Sequence, residues 1–247
     1  MIQLNGQYYP DVFLAGVPKS GTTYLFDILS HHPRIQPSVP KETYFHLDKA
    51  NPFYPRNFDT SKKSYADFFD KGMQGDLHMD GSPINLYQEE LVHKLNGLPE
   101  KPKSIIVLRE PARRILSSFL FTSNNLSGVD GMSFSEYAAY LLEGDSISIA
   151  KFCKNDKVAF SLQNELNFSK YVLYLREWQK AVGSENLKLV SFEKLRLNPE
   201  KEVSEICGFL GLNEFDFQSL EGNQNTTAEI KNKFIHWGKL VNYLFTF

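Results

Sequence analysis

The chain has only two cysteines, Cys153 and Cys207, and no Cys-x-x-Cys pair. That excludes a disulfide framework and a cysteine-rich metal site, and both residues read as core thiols. No run of about 18 apolar residues occurs, so no membrane-spanning helix is predicted. The first residues, MIQLNGQYYP, lack a basic segment followed by an apolar one. The expectation is a cytoplasmic chain without a secretory leader and without a membrane partner. An excess of one charge is also missing: 27 basic residues face 29 acidic ones, for a net charge of -2. This excludes the broad basic footprint of a nucleic-acid binder, so any anion site must be local. Repeats, low-complexity tracts and linker-like Pro/Ser/Gly stretches are lacking as well. With 247 residues and 42% hydrophobic content, the chain reads as one domain over 1–247 with a sizeable core.

Short β-type runs occur at 11–16 (DVFLAG), 76–81 (DLHMDG), 104–109 (SIIVLR) and 187–192 (LKLVSF). Between them lie segments with apolar residues at helical spacing, and the alternation predicts an α/β fold with a mostly parallel sheet. Tyr24, Leu25, Ile28 and Leu29 form one helical stripe that Pro33 ends. Pro111 suits the first turn of a second helix, which turns Ile115, Leu116, Phe119 and Leu120 inward. Residues 171–178 and 199–212 have the same spacing. The stretch 51–75, rich in aromatic residues, Pro and Asp, reads as irregular structure.

Between the first strand and the first helix lies GVPKSGTTY, residues 16–24. Gly16 and Gly21 have the separation of a nucleotide triphosphate loop, GxxxxGK[ST], but Thr22 occupies the lysine's position and Lys19 lies three residues earlier. A strand, a glycine turn and a helix N-terminus still offer backbone N–H groups to an anion. Hydroxyls from Thr22 and Thr23 and the charge of Lys19 suit a 5′-phosphate bound without a metal. A small kinase or nucleotide hydrolase using ATP and magnesium is the competing enzyme class, weakened by the displaced lysine. A nucleotide-binding module without chemistry is the third reading.

Residues Pro18 to Thr23, PKSGTT, resemble the 5′-phosphosulfate loop of sulfotransferases that use 3′-phosphoadenosine 5′-phosphosulfate. The resemblance implies a P-loop NTPase-like three-layer domain. It further implies an arginine at a strand end and a serine eight residues later for the 3′-phosphate. IIVLREPARRILSSF supplies both, as Arg109 and Ser117. Arginine gives a planar, permanently charged fork for phosphate oxygens. Arg114 fits the same run, as a packing residue or a surface ion pair. By resemblance, then, Lys19, Ser20, Gly21, Thr22, Thr23, Arg109 and Ser117 bind the co-substrate, with Lys19 also acting on the leaving group.

Sulfuryl transfer needs a base opposite Lys19. The segment PKETYFH, 40–46, resembles the KExxFF segment of carbohydrate-modifying members and implies Glu42 as that base; an acidic loop residue paired with Lys41 is the plainer reading. His78, before the Gly-Ser-Pro turn, is the runner-up. His46 is a substrate contact or a buried histidine, and His31, His32, His93 and His236 read as structural or exposed. Heparan-type members often carry a lysine before Thr-Pro or Ser-Pro, where this chain has Gly81. Later elements, SKYVLYLREW, LKLVSFEKL and EICGFLGL, also follow the family's order, and Asn225, Thr226, Thr227 or Lys231 are candidates to close over the nucleotide. The acceptor is expected to be a hydroxyl on a glycan or a small molecule, with near-neutral charge disfavouring a heavily anionic polymer.

Overall fold

The computed structural model describes residues 1–54, 64–69, 76–125 and 129–215. The chain divides into two units, Met1–Leu212 and Asn213–Phe247, and every element below belongs to the first. The candidates Asn225, Thr226, Thr227 and Lys231 lie outside the described residues.

Asn5-Gly6, both with positive φ, turns an antiparallel hairpin of β1 (Ile2–Leu4) and β2 (Gln7–Tyr9). An Asn-Gly pair is the strongest short hairpin signal, because both central residues must adopt left-handed backbone. β3 (Val12–Gly16) and α1 (Thr22–Ser30) follow, then β4 (Ile35–Pro37) and β5 (Leu77–Asp80). Next come α2 (Glu89–Asn96), β6 (Lys103–Leu108) and α3 (Pro111–Asn125). A helical stretch holds α4 (Phe134–Glu143), α5 (Ser146–Lys151), α6 (Asp156–Gln163) and α7 (Glu165–Phe168). α8 (Tyr171–Val182), β7 (Leu187–Ser191), α9 (Phe192–Leu197) and α10 (Pro199–Leu210) complete the unit.

The five strands β4-β5-β3-β6-β7 form one sheet in that order, with every neighbouring pair parallel. β3 is apolar and buried at every position, as a central strand covered on both faces must be. Phe13, Ala15 and Val17 pack with Leu91 and Leu95 of α2 and Trp178 and Val182 of α8. The intervening Val12 and Leu14 are equally buried, so helices cover both faces and the architecture is three-layered. Trp178 keeps its one donor satisfied by bonding Leu86 O at 3.0 Å.

From β3 the chain moves outward to β4 and β5 on one side and returns to β6 on the other. Strand order therefore reverses at β3, and the crevice beyond its C-terminal end is where α/β sheets bind ligands. The segments that follow β3, β5 and β6 all open there.

All four expected strands are present within one residue at each end. The edge strand β4 was not expected, since three residues carry too little alternation to register. Nor were α4 to α7, although Ser133 and Glu136 form a capping box that the spacing S-x-x-E encodes. In the stretch 51–75, the described residues include a single 3-10 turn, Tyr65–Phe68, capped reciprocally by Ser64 and Asp67.

Candidate active site

The loop after β3 is shaped by two residues of left-handed backbone, Lys19 (φ 68°) and Gly21 (φ 83°). Turns of this kind draw successive N–H groups toward one concavity. At Gly21 a side chain is excluded twice: by φ, and because a Cβ would lie 2.9 Å from the Phe192 ring. α1 begins directly behind it with no acidic residue in its first turn and no side-chain cap. A helix start of this kind suits an external anion. Ser20 Oγ is fully buried without a hydrogen-bond partner, a polar atom that an oxyanion in the cradle would satisfy. Thr22 is buried in the same turn, whereas Thr23 is exposed.

Arg109 follows β6 and donates from Nη1 to Lys19 O at 2.9 Å, while its guanidinium lies 4.7 Å from the Phe192 ring centre. Tyr171 OH donates to Arg109 O at 2.9 Å and fixes that backbone turn. Ser117 is buried two turns into α3. Loop, strand end and helix therefore meet, and the structure brings Lys19 to Gly21 together with Arg109.

Arg114 is not on the surface. It is 1% exposed and ion-paired with the equally buried Glu165, and it also donates to Glu165 O (2.9 Å) and Ser169 Oγ (2.7 Å). Ser118 donates to Glu165 Oε1 at 2.6 Å. This network fastens α3 to α7.

Lys19 is the electrostatic centre. Burial pulls its ammonium down to about pKa 8, opposed by the charges of Glu42 and Glu165 and assisted by Arg109 and Lys41. Its Nζ sits 3.0 Å from the centre of the Phe121 ring, four residues beyond Ser117 and so on the same face of α3. Three cations converge here in a chain of near-zero net charge, which makes the anion site local.

The segment carrying Glu42 is held against the end of β5. Gly81 N donates to Lys41 O at 3.2 Å, Thr43 N to Ser82 Oγ at 2.8 Å, and Thr43 Oγ1 to Asp80 Oδ2 at 2.7 Å. Asp80 is fully buried; it also accepts from Tyr65 OH and Ser82 N, each at 2.7 Å. Burial raises its pKa, and these donors work against that. Glu42 itself is partly exposed, and Lys41 Nζ contacts its Oε1 at 3.1 Å.

Position 81 has no room for a lysine here. A Cβ on Gly81 would meet Phe26 at 2.4 Å and Lys41 Cγ at 2.9 Å. The Lys41 chain fills that space, and its Nζ donates to Gly81 O at 2.7 Å.

His78 is not brought to the loop. It is level with Asp11 at the N-terminal end of the sheet, where its N–H donates to Asp11 Oδ2 at 2.8 Å and its Nδ1 lies 2.8 Å from the same oxygen. The length of β3 separates it from Lys19, on the order of 13 Å at 3.3 Å per residue. His46 is buried among Tyr9, Phe45 and Tyr65, and burial holds its pKa down to about 3, so it is a neutral core ring. Among the described residues, no cluster of three or more His, Cys, Asp or Glu side chains is arranged to hold a metal.

Sequence reasoning left four contributors unassigned: Phe121, Asp80, Glu165 and the placement of Lys41. None carries a local signal beyond residue type, because each acts on a partner distant in sequence.

Residues 9–227 match the family model described as a sulfotransferase domain. The chain is 22% identical over 206 residues to heparan sulfate glucosamine 3-O-sulfotransferase 3B1 of Homo sapiens, covering 82% of this chain and 46% of that protein. It is 26% identical over 209 residues to bifunctional heparan sulfate N-deacetylase/N-sulfotransferase 2 of Homo sapiens, covering 83% of this chain and 22% of that one. The chain thus spans less than half the length of these relatives. A sulfotransferase from Alicyclobacillus acidocaldarius superposes with a TM-score of 0.63 at 22% identity, over 83% of this chain and 82% of that one, which shows a shared fold.

Proposed function

The chain belongs to the sulfotransferase family, and on that premise we propose that it moves a sulfuryl group from 3′-phosphoadenosine 5′-phosphosulfate to an acceptor hydroxyl by direct in-line transfer. The observation that carries the reading is the anion cradle itself, in which the buried Ser20 hydroxyl has no partner and Arg109 is bonded to the left-handed turn at Lys19. Glu42 is the leading charged partner acting on Lys19, and Lys19 is bonded through its carbonyl to Arg109.

The co-substrate supplies an activated sulfur with a phosphate leaving group. The amides of residues 19–22 and the buried Ser20 hydroxyl hold the 5′-phosphate side, and Thr22 adds its hydroxyl there. Thr23, exposed on α1, contributes backbone rather than side chain. Arg109 and Ser117 hold the 3′-phosphate. Glu42 takes the proton from the acceptor hydroxyl as its oxygen bonds to sulfur. Lys19 meets the charge that appears on the phosphate oxygen as the sulfur–oxygen bond breaks. His78 has no part in this reading, since its ring is engaged with Asp11 at the far end of the strands.

A glycan is the favoured acceptor class, in keeping with the heparan sulfate enzymes among the relatives, and a small alcohol is the second. The chain's net charge of -2 favours a neutral glycan over a densely sulfated one. A kinase reading has less behind it, because Thr22 stands where the triphosphate-binding lysine would be.

Calorimetry with 3′,5′-diphosphoadenosine, AMP and magnesium ATP tests the reading without knowledge of the acceptor. Tight binding of the diphosphate and a large loss for AMP are expected. Preference for magnesium ATP overturns it. A panel of glycosides incubated with ³⁵S-labelled co-substrate then identifies the acceptor.

A further inference from the structure

We propose that Tyr44 is a positioning residue for the reaction, its hydroxyl and the Lys41 ammonium gripping the Glu42 carboxylate from its two oxygens so that it is held toward the acceptor. The inference rests on the reading of Glu42 as the base.

Tyr44 OH donates to Glu42 Oε2 at 2.6 Å, and Lys41 Nζ donates to Oε1 at 3.1 Å. A carboxylate on a loop, partly open to water, has two freely turning side-chain bonds nearest the backbone. Two donors from different directions remove that freedom. Each oxygen keeps a second lone pair, so the grip leaves an acceptor site for the proton that is to be moved. Both donors are themselves anchored. Lys41 is fixed by its second bond, to Gly81 O.

Tyr44 is anchored through its backbone. It has φ of 52°, one of three non-glycine residues among those described with left-handed backbone, and Lys19 is another. That conformation is disfavoured for a bulky side chain and persists only where its surroundings enforce it. The surroundings here are Thr43, whose N–H and hydroxyl are tied to Ser82 and Asp80. In an extended segment the alternation of side chains is fixed. The left-handed step at Tyr44 breaks that alternation and accompanies the return of the phenol to Glu42. The two left-handed non-glycine residues of the site thus flank the reaction, one at the lysine and one behind the base.

The charged and titratable groups around Tyr44 and Glu42 are consistent with a donor role. Burial first, then the Glu42 charge, push the Tyr44 phenol well above the ordinary tyrosine range. It therefore stays protonated and donates at every working pH. Lys41 lies beside Glu42 on the same segment, and the Glu42 charge also acts on Lys19.

Tyr44→Phe keeps the ring and removes only the donor. Crystal structures of the unaltered chain and of Tyr44→Phe, each with 3′,5′-diphosphoadenosine, read the position of Glu42 directly. Calorimetry reads nucleotide affinity, and ³⁵S transfer to the acceptor found above reads turnover. We expect Glu42 to lose its single position, kcat to fall about 10- to 100-fold, as for a lost hydrogen bond to a charged group, and the nucleotide Kd to stay within about twofold. Added to Glu42→Gln, the same change should cost nothing more. An unmoved Glu42 in Tyr44→Phe overturns the inference, as does a parallel loss of nucleotide affinity. If Glu42→Gln itself keeps full turnover, the base assignment fails whatever Tyr44 does. If Glu42→Gln loses turnover and Tyr44→Phe does not, only the role of Tyr44 fails.

Discussion

Arg109 Nη1 lies 2.9 Å from the carbonyl oxygen of Lys19, ninety positions earlier in the chain. This bond joins the two motifs that sequence alone could only set in order, and it makes the loop after β3 and the end of β6 one structural unit. Arg109 therefore holds the turn at Lys19, and in the proposed reaction it also holds the 3′-phosphate.

Arg109→Ala is expected to weaken 3′,5′-diphosphoadenosine binding by about 10- to 100-fold, the range for a lost charge-assisted hydrogen bond. AMP, which lacks the 3′-phosphate, should lose less. Calorimetry with both ligands gives the difference, and equal losses would confine Arg109 to shaping the loop.

Lys19 makes binding pH-dependent. Its folded pKa of about 8 lies below the ordinary 10.5 because burial disfavours the ammonium. Between these values the empty folded protein holds a neutral amine while the unfolded chain is protonated. The stability linked to this group is therefore full above about pH 10.5 and is lost as pH falls through about 8. An anion in the cradle reverses the preference. Binding of the diphosphate at pH 9 should take up a proton, with affinity falling as pH rises past about 8. Calorimetry in buffers of different ionisation enthalpy measures the uptake, and Lys19→Arg should abolish it.

Gly21→Ala should be damaging although it adds one methyl group. The residue must hold φ of 83°, and the new Cβ would press on Phe192 at 2.9 Å. A cost of about 1–3 kcal/mol is expected from the backbone conformation and the contact, read as a lower urea midpoint. Nucleotide binding should fall with it, because Phe192 also supports Arg109.

Glu165→Leu should destabilise the fold by about 3–5 kcal/mol, since it leaves the Arg114 charge buried without its partner. Replacing Arg114 by Leu as well should recover much of the loss. Urea unfolding of the single and double variants provides the comparison. Nucleotide affinity should follow stability here, as Arg114 and Glu165 act on α3 and not on the ligand.

The reading of the sequence went furthest where a function is carried by neighbours in the chain. PKSGTT lies at a strand-to-helix turn, and Arg109 and Ser117 keep an eight-residue spacing that a strand end and two helical turns reproduce. Strand β3 was legible because a central parallel strand is apolar throughout, and α3 because Pro111 and its apolar stripe obey helical spacing. The short edge strand β4 and the helices between Phe134 and Phe168 were not, although the Ser133 capping box and the Asn5-Gly6 turn are sequence signals that could have been used.

Sequence by itself determined the fold class, the family and the order of the loop, strand end and helix that carry the two motifs, because these depend on periodicity and on short motifs whose residues act together. Only the tertiary structure placed the side chains on the Glu42 side of the loop. It set His78, the second candidate after Glu42, beside Asp11 at the N-terminal end of the strands. It turned Arg114 inward onto Glu165, filled the space at Gly81 with Lys41, and brought Tyr44 back onto Glu42. Each of these is a matter of which side chains distant or differently turned backbone brings within 3 Å, and no spacing along the chain encodes that.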